Sequence, residues 1–214
     1  MEKIVDGNFT LVVAGPAGFG NNIYIIIDTE TNEAAFVDCP DEVEQSIAAV
    51  EFAGVEPKTI LLTHGHADHT ASIDKLKAKY GCTLYGAANE PGVKDGQLDH
   101  VVEHGDEVKV GNLSFSVIHN PGHTPGSTTF VYGKHAFVGD TLFPGGPGAS
   151  RTNELLQQEI ESIKTRLFTL PEDTAIWPGH GDGATIGSSK AEYEIFAAKE
   201  HDPDLHGDVS WLES

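Results

Sequence analysis

The chain reads as an α/β protein, a four-layer αββα sandwich in which two sheets pack together with helices outside. Two observations predict it. Short apolar or alternating segments come in two batches, and each batch is followed by segments of helical periodicity. Further, no stretch has the length or composition of an interdomain linker, so residues 1–214 are expected to form one domain ending in a polar tail, 201–214.

Residues 9–14, 22–28 and 33–38 are rich in β-branched and aromatic residues and are separated by Gly15-Pro16 and Thr31-Asn32, which predicts an opening meander of strands. A helix follows, with Asp41 and Glu44 as a capping box, Val43, Ile47 and Val50 on one face, and Gly54 as its stop. Strand 58–62 comes next. A second helix near 70–80 carries Ile73, Leu76 and Tyr80 on one side and Lys75, Lys77 and Lys79 on the other.

The second batch comprises 83–87, 100–102, 107–110, 113–119, 127–132 and 135–138. Leu156, Ile160, Ile163 and Leu167 then form one stripe of a helix over 154–168, with Asn153 as its cap. Strand 174–177 and a helix over 188–199 complete the pattern, and Trp211 is the one anchor of the tail.

Composition narrows the function. With 33 acidic against 13 basic side chains the net charge is −20, which repels phosphate backbones, and no basic stripe offsets it, so no nucleic acid partner is expected. No apolar run approaches the ~20 residues that span a bilayer, and the N-terminus lacks the apolar segment of a signal peptide. Cys39 and Cys82 supply neither a disulfide framework nor a CxxC pair. The expectation is a cytoplasmic protein acting on a small molecule.

Thr63-His64-Gly65-His66-Ala67-Asp68-His69 carries the chemistry. Three imidazoles and a carboxylate this close would compete for protons and water unless a cation collected them. His123 (in Pro121-Gly122-His123-Thr124), Asp140 (in Gly139-Asp140-Thr141) and His180 (in Pro178-Gly179-His180-Gly181) each follow a predicted strand, as the first group does. Loops leaving strand ends converge at one edge of a sandwich, so all seven residues are candidates for one metal site. The ligand atoms are nitrogen and oxygen only, which suits zinc best and also accepts iron or manganese. Asp38 is placed to hydrogen-bond a metal-bound imidazole.

Other histidines are read without function, except His119, four residues before His123, which is either a support for the metal ligands or a strand-end polar residue. His100-Val101-Val102-Glu103-His104 fits the inverted zinc-peptidase spacing, but that chemistry requires a helix, whereas the valines and Gly105-Asp106 predict a strand and turn. His201 and His206 belong to the tail, His119 ends a strand, and Cys39 is a small packing residue.

The pattern His64-x-His66-x-Asp68-His69, then His123, Asp140 and His180, resembles the metallo-β-lactamase superfamily over nearly the whole chain. Pro121-Gly122-His123-Thr124-Pro125-Gly126-Ser127 and Gly139-Asp140-Thr141-Leu142-Phe143 are most similar to the glyoxalase II-like hydrolases. The resemblance implies the αββα fold and two divalent ions. His64, His66 and His123 would hold one, Asp68, His69 and His180 the other, and Asp140 would bridge them. It also implies hydrolysis of a thioester or related acyl substrate by a metal-bridging hydroxide, with Asp68 as the catalytic carboxylate. A mononuclear-iron persulfide dioxygenase using the equivalents of His64, His123 and Asp140, or a lactonase, is the alternative. A β-lactamase or a non-enzymatic member is disfavoured because the seven-residue set is complete.

Glyoxalase II ordinarily continues into a helical domain with basic residues for glutathione. Here 34 residues follow His180, with Lys190 and Lys199 as their only bases, so a different thiol carrier is expected. The loop 144–151, directly after Asp140, is expected to be a mobile or closely approaching substrate wall, with Arg151 as its anion donor.

Overall fold

A computed structural model describes residues 1–88 and 90–214. The first sheet has seven strands in sequence order: β1 (Glu2–Asp6), β2 (Phe9–Ala17), β3 (Asn21–Asp28), β4 (Ala34–Val37), β5 (Thr59–Leu61), β6 (Thr83–Gly86) and β7 (His100–Val101). The second comprises β8 (Glu107–Val110), β9 (Leu113–His119), β10 (Thr128–Tyr132), β11 (His135–Gly139), β14 (Ala175–Pro178) and β15 (Ala184–Thr185). A small hairpin, β12 (Leu142–Phe143) with β13 (Gly146–Pro147), interrupts the order. The helices are α1 (Val43–Ala53), α2 (Ala67–Thr70), α3 (Ile73–Tyr80), α4 (Asn153–Thr165) and α5 (Ile186–Ala197).

The layering follows from side-chain parity along the strands. On β3, Ile23, Ile25 and Ile27 join a core shared with Val43, Ala49 and Val50 of α1 and Ile73 and Leu76 of α3. Tyr24 and Ile26, pointing the other way, meet Phe115, Phe130 and Phe137 of the second sheet. On β11, Phe137 faces that central core, as does His135, which stacks on Phe9. Ala136 and Val138 face Leu156, Ile160 and Ile163 of α4 and Ile186 and Phe196 of α5. Three cores between four layers make the predicted αββα sandwich. The segment read as a polar tail contributes to the third core, where Val209 and Trp211 are buried and Trp211 packs on Phe168 and Tyr193.

Two helix starts differ from the expected ones. Asp41 and Glu44 form no capping box. Glu42 is the cap residue, in a left-handed conformation, and Asp41 Oδ1 instead accepts its backbone N–H at 2.8 Å. On α4 the cap is Thr152, one residue before the expected Asn153, because its hydroxyl reaches the Leu155 amide at 3.3 Å. The reciprocal capping box of the chain lies elsewhere, between Thr185 and Ser188 at the start of α5.

Strand direction positions the site. β4, β5 and β6 run parallel, so the chain leaves all three at the same edge of the first sheet. In the second sheet β11 is parallel to β14. It is antiparallel to β10, which is antiparallel to β9, so β9, β11 and β14 also end together. Asp38, Thr63–His69, His123, Asp140 and His180 follow β4, β5, β9, β11 and β14 respectively. Direct bonds join the two edges: Thr128 N–H to the Thr63 carbonyl (2.9 Å), Asn22 N–H to Gly179 (2.7 Å), and the Tyr24 hydroxyl to Pro178 (2.8 Å). No helix among the described residues is long and apolar enough to cross a membrane.

Candidate metal centre

The histidine motif enters as a turn after β5 and passes into the single-turn helix α2, which lifts Asp68 and His69 toward the second sheet. His64 Nε2 and His123 Nε2 lie 3.1 and 3.0 Å from His66 Nδ1. His69 Nε2 and His180 Nε2 are 3.3 Å apart, with Asp68 Oδ2 at 3.4 and 3.1 Å from them. Asp140 stands between the two groups. One oxygen is 4.0 and 3.9 Å from His64 and His123 and 3.5 Å from His180, and the other is 3.4 Å from His69. All seven residues singled out in the sequence are thus brought together.

The hydrogen bonds behind the rings decide what this cluster can hold. His69 Nδ1–H donates to Asp38 Oδ2 at 2.8 Å. His64 Nδ1–H donates to the Thr63 hydroxyl at 3.2 Å, which in turn donates to Asp38 Oδ2 at 2.7 Å. His123 Nδ1–H donates to the Ala149 carbonyl at 3.0 Å. A neutral imidazole that donates from Nδ1 presents a lone pair at Nε2. In the neutral form of each ring, Nε2 of His64, His69 and His123 therefore faces inward as a lone pair, beside Asp140, whose buried Oδ1 has no hydrogen-bond partner. Such a donor set repels itself unless a cation occupies its centre, and the outer partners are of the kind that orient metal-bound imidazoles. The residues fit a metal.

Without metal the two halves differ in proton affinity. Burial, reinforced by the neighbouring His69, holds the His64 pKa well below the ordinary histidine value, and burial lowers His123 as well. On the other side, bonds to Asp140 and Asp68 push His180 up to about 9. Burial alone would lower His69, but Asp38, Asp140 and Asp68 together carry it well above its usual range. His64 and His123 thus give up a proton more readily than His69 and His180, which share theirs with carboxylates.

Comparison with known proteins agrees with this geometry. The family model of the metallo-beta-lactamase superfamily matches residues 7–180. The chain belongs to that superfamily. Among curated relatives, hydroxyacylglutathione hydrolase GloC of Haemophilus influenzae is 33% identical over 85% of this chain and 95% of its own length. The hydroxyacylglutathione hydrolase of Chelativorans sp. is 39% identical over 72% of the chain, which spans only 59% of that relative. Among solved structures, ETHE1 of Myxococcus xanthus superposes with a TM-score of 0.79 at 30% identity, covering 89% of this chain and 85% of that one. Membership of the superfamily, with the two clusters, implies a divalent metal site.

Residues read as non-functional take structural positions. His100 lies in β7, and the chain turns at Gly105, so the peptidase-like spacing is not on a helix. His119 Nε2 bonds the Pro125 carbonyl at 2.9 Å, bracing the His123 loop. His201 stacks on Phe196 and bonds its carbonyl at 2.8 Å. Cys39 is buried in the first core, where burial raises its thiol pKa.

The loop 144–151 is a close wall. Gly146, Pro147, Gly148 and Ser150 are buried, Trp211 N–H bonds Gly145, and Ser150 pairs with Gly207. Arg151 is exposed, two residues beyond the carbonyl that orients His123.

Three residues at the site carry no sequence signal of their kind. Asn21, buried, donates to Asp68 Oδ2 at 3.0 Å. Glu90 and Glu159 are buried acids behind the histidine loops. Glu159 Oε1 accepts the Gly148 N–H at 3.1 Å, and its Oε2 is unpaired. Its backbone and Cβ fill the space where a side chain at Gly122 would stand.

Burial pushes the Glu159 pKa up to about 9, with Asp140 adding to the effect. Between the ordinary carboxylate range and that value the folded state binds a proton that the unfolded state releases, so this group lowers stability as pH rises. Glu159→Gln mimics the neutral acid. In metal-free protein its thermal stability relative to wild type should therefore increase between pH 5 and pH 9. Parallel melting-temperature profiles would show that Glu159 is not held neutral.

Proposed function

We propose that this chain is a metal-dependent hydrolase that cleaves a thioester or related acyl substrate at a two-ion centre. The observation that supports it most is the position of Asp140, between a trihistidine group and an Asp68–His69–His180 group that each offer three ligand atoms to one ion. His64, His66 and His123 would hold the first ion, Asp68, His69 and His180 the second, and Asp140 would bridge them. Zinc is the best match to the donor types, with iron or manganese also accepted. When bound, such ions supply a hydroxide nucleophile near neutral pH and polarise the substrate carbonyl. The hydroxyacylglutathione hydrolases among the relatives support the thioester as substrate.

The chain's own residues assign the direction of approach. The His64 and His69 side chains lie deep, each 1% exposed, whereas Asp68 and His180 are 23% and 27% exposed, which supports approach of the substrate over the Asp68–His180 edge. Asp68 stands there with its pKa held well below the usual range by bonds from His180 and His69, with Asn21 fixing the same oxygen. Its proposed role is to orient the attacking water and to accept a proton as the tetrahedral intermediate breaks down. Arg151 would receive a carboxylate of the substrate at the far end of the loop that carries Ala149.

The alternative, a dioxygenase with one iron on His64, His123 and Asp140, would leave His66 Nδ1 idle although it faces both other nitrogens at 3.0–3.1 Å.

Metal analysis of protein purified without added metal, followed by thioester, persulfide and lactone substrates, tests the reading. Two equivalents of metal and thioester turnover that stops on chelation and returns with divalent metal are expected. A single iron with persulfide turnover would replace it with the dioxygenase. Asp68→Asn should lower kcat by at least ~10²-fold, the contribution of a general acid–base group; wild-type turnover at full metal content would remove Asp68 from the mechanism. Arg151→Ala should cost about 1.5–3 kcal/mol in kcat/KM, through KM, for a carboxylate-bearing substrate and little for a neutral one. Equal losses on both substrates would make it a support of the loop instead.

A further inference from the structure

Glu90 lies on neither of the loops that carry the trihistidine group, yet it holds both. It follows β6, is 5% exposed, and sends one carboxylate oxygen to each loop. Oε2 accepts the N–H of Gly65 at 2.5 Å, and Oε1 accepts the N–H of Gly126. Gly65 is the residue between His64 and His66, and Gly126 lies three residues beyond His123.

The fit leaves no room for other side chains. A Cβ on Gly65 would stand 2.0 Å from the Pro91 carbonyl oxygen and 3.0 Å from Glu90 Cβ, and one on Gly126 would stand 2.6 Å from Glu90 Oε1. Gly126 is therefore required by this carboxylate, and Gly65 by the Pro91 backbone that follows it.

The rest of the frame is one-sided. Thr128 N–H to Thr63 O, at 2.9 Å, ties the two loops where they leave the sheets. Glu90 is a further tie, among the histidines themselves at Gly65 and Gly126, and two ties define a spacing where one would leave a hinge. The spacing matters because His66 Nδ1 must stand close to His64 Nε2 from its own loop and to His123 Nε2 from the other.

We propose that Glu90 is a positioning residue for the trihistidine metal site, its carboxylate clamping the Gly65 and Gly126 amides so that His64, His66 and His123 stand ready for one ion. The proposal rests on reading those three histidines as metal ligands. Its chemistry is specific to a carboxylate: both oxygens accept, whereas a carboxamide accepts at one end and turns an N–H donor against a second N–H donor at the other. Asp at this position is one methylene short of reaching both amides.

The test is a zinc titration of metal-free protein against a chromophoric chelator, with cobalt(II) absorption as the spectroscopic readout. Glu90→Gln is measured in two backgrounds: His180→Ala, which isolates the trihistidine group, and His123→Ala, which isolates the other. Zinc affinity should fall about 10–100-fold in the first, the usual effect of losing a group that orients metal ligands, and the cobalt bands should shift. In the second it should change less than about 3-fold, below that range. Gly126→Ala, which drives Oε1 from its place while keeping the carboxylate, should reproduce the selective loss and provides the same test should Glu90→Gln fail to fold. Wild-type affinity and spectrum in the first background, or equal losses in both, would overturn the role of Glu90. A parent protein in which His123→Ala removes no zinc would overturn the metal reading itself.

Discussion

The arrangement depends on hydrogen bonds that point away from the centre. Asp38 takes three of them: the Thr63 amide at 2.7 Å, the Thr63 hydroxyl at 2.7 Å and His69 Nδ1 at 2.8 Å. It does so from a left-handed backbone conformation, φ +60°, in which a residue other than glycine is strained. That strain is offset by what the carboxylate fixes. With Nδ1 of His69 and, through Thr63, of His64 committed outward, Nε2 of each ring is the acceptor whenever the ring is neutral. The inward lone pairs, and hence the attraction for a cation, follow from bonds made on the far side of the rings.

Strand direction brings these groups together. Parallel pairs β4–β5 and β11–β14 deliver their chain exits to one edge of each sheet, and the two edges meet through the Tyr24, Asn22 and Thr128 bonds. Once those exits coincide, short turns suffice to carry each histidine inward. Parity along the same strands builds the three cores, so packing and site geometry depend on one register.

Two buried acids show how the site is held from outside. Glu90 is satisfied by two backbone amides, whereas Glu159 receives one and keeps an unpaired oxygen. Their chemistry differs accordingly: a carboxylate clamps, and a neutral acid fills space beside Gly122 and Gly148. Both act on the loop of His123, which is also held by His119 through Pro125 and by Ala149.

The sequence by itself determined most of the strands and helices and the group of seven metal-competent residues, because hydrophobic period and clustered histidines are local features. It grouped 83–87 and 100–102 with the second batch, whereas β6 and β7 pair into the first sheet, and it did not show β1, the β12–β13 hairpin or β15. It also indicated Asp38 as a partner for an imidazole and the absence of a helix around His100. It did not determine the caps of α1 and α4, where the choice between adjacent residues turns on which side chain reaches an amide. The glycines of loop 144–151 left a mobile and a closely approaching wall both open, and the tertiary structure decides for the second, since Gly145 and Ser150 meet Trp211 and Gly207. Asn21, Glu90 and Glu159 were invisible for the same reason. An Asn or Glu in isolation has no motif, and its partners here lie between 11 and 159 residues away. Only the folded chain decides which polar groups are buried beside one another, and burial is what turns an ordinary carboxylate into a clamp.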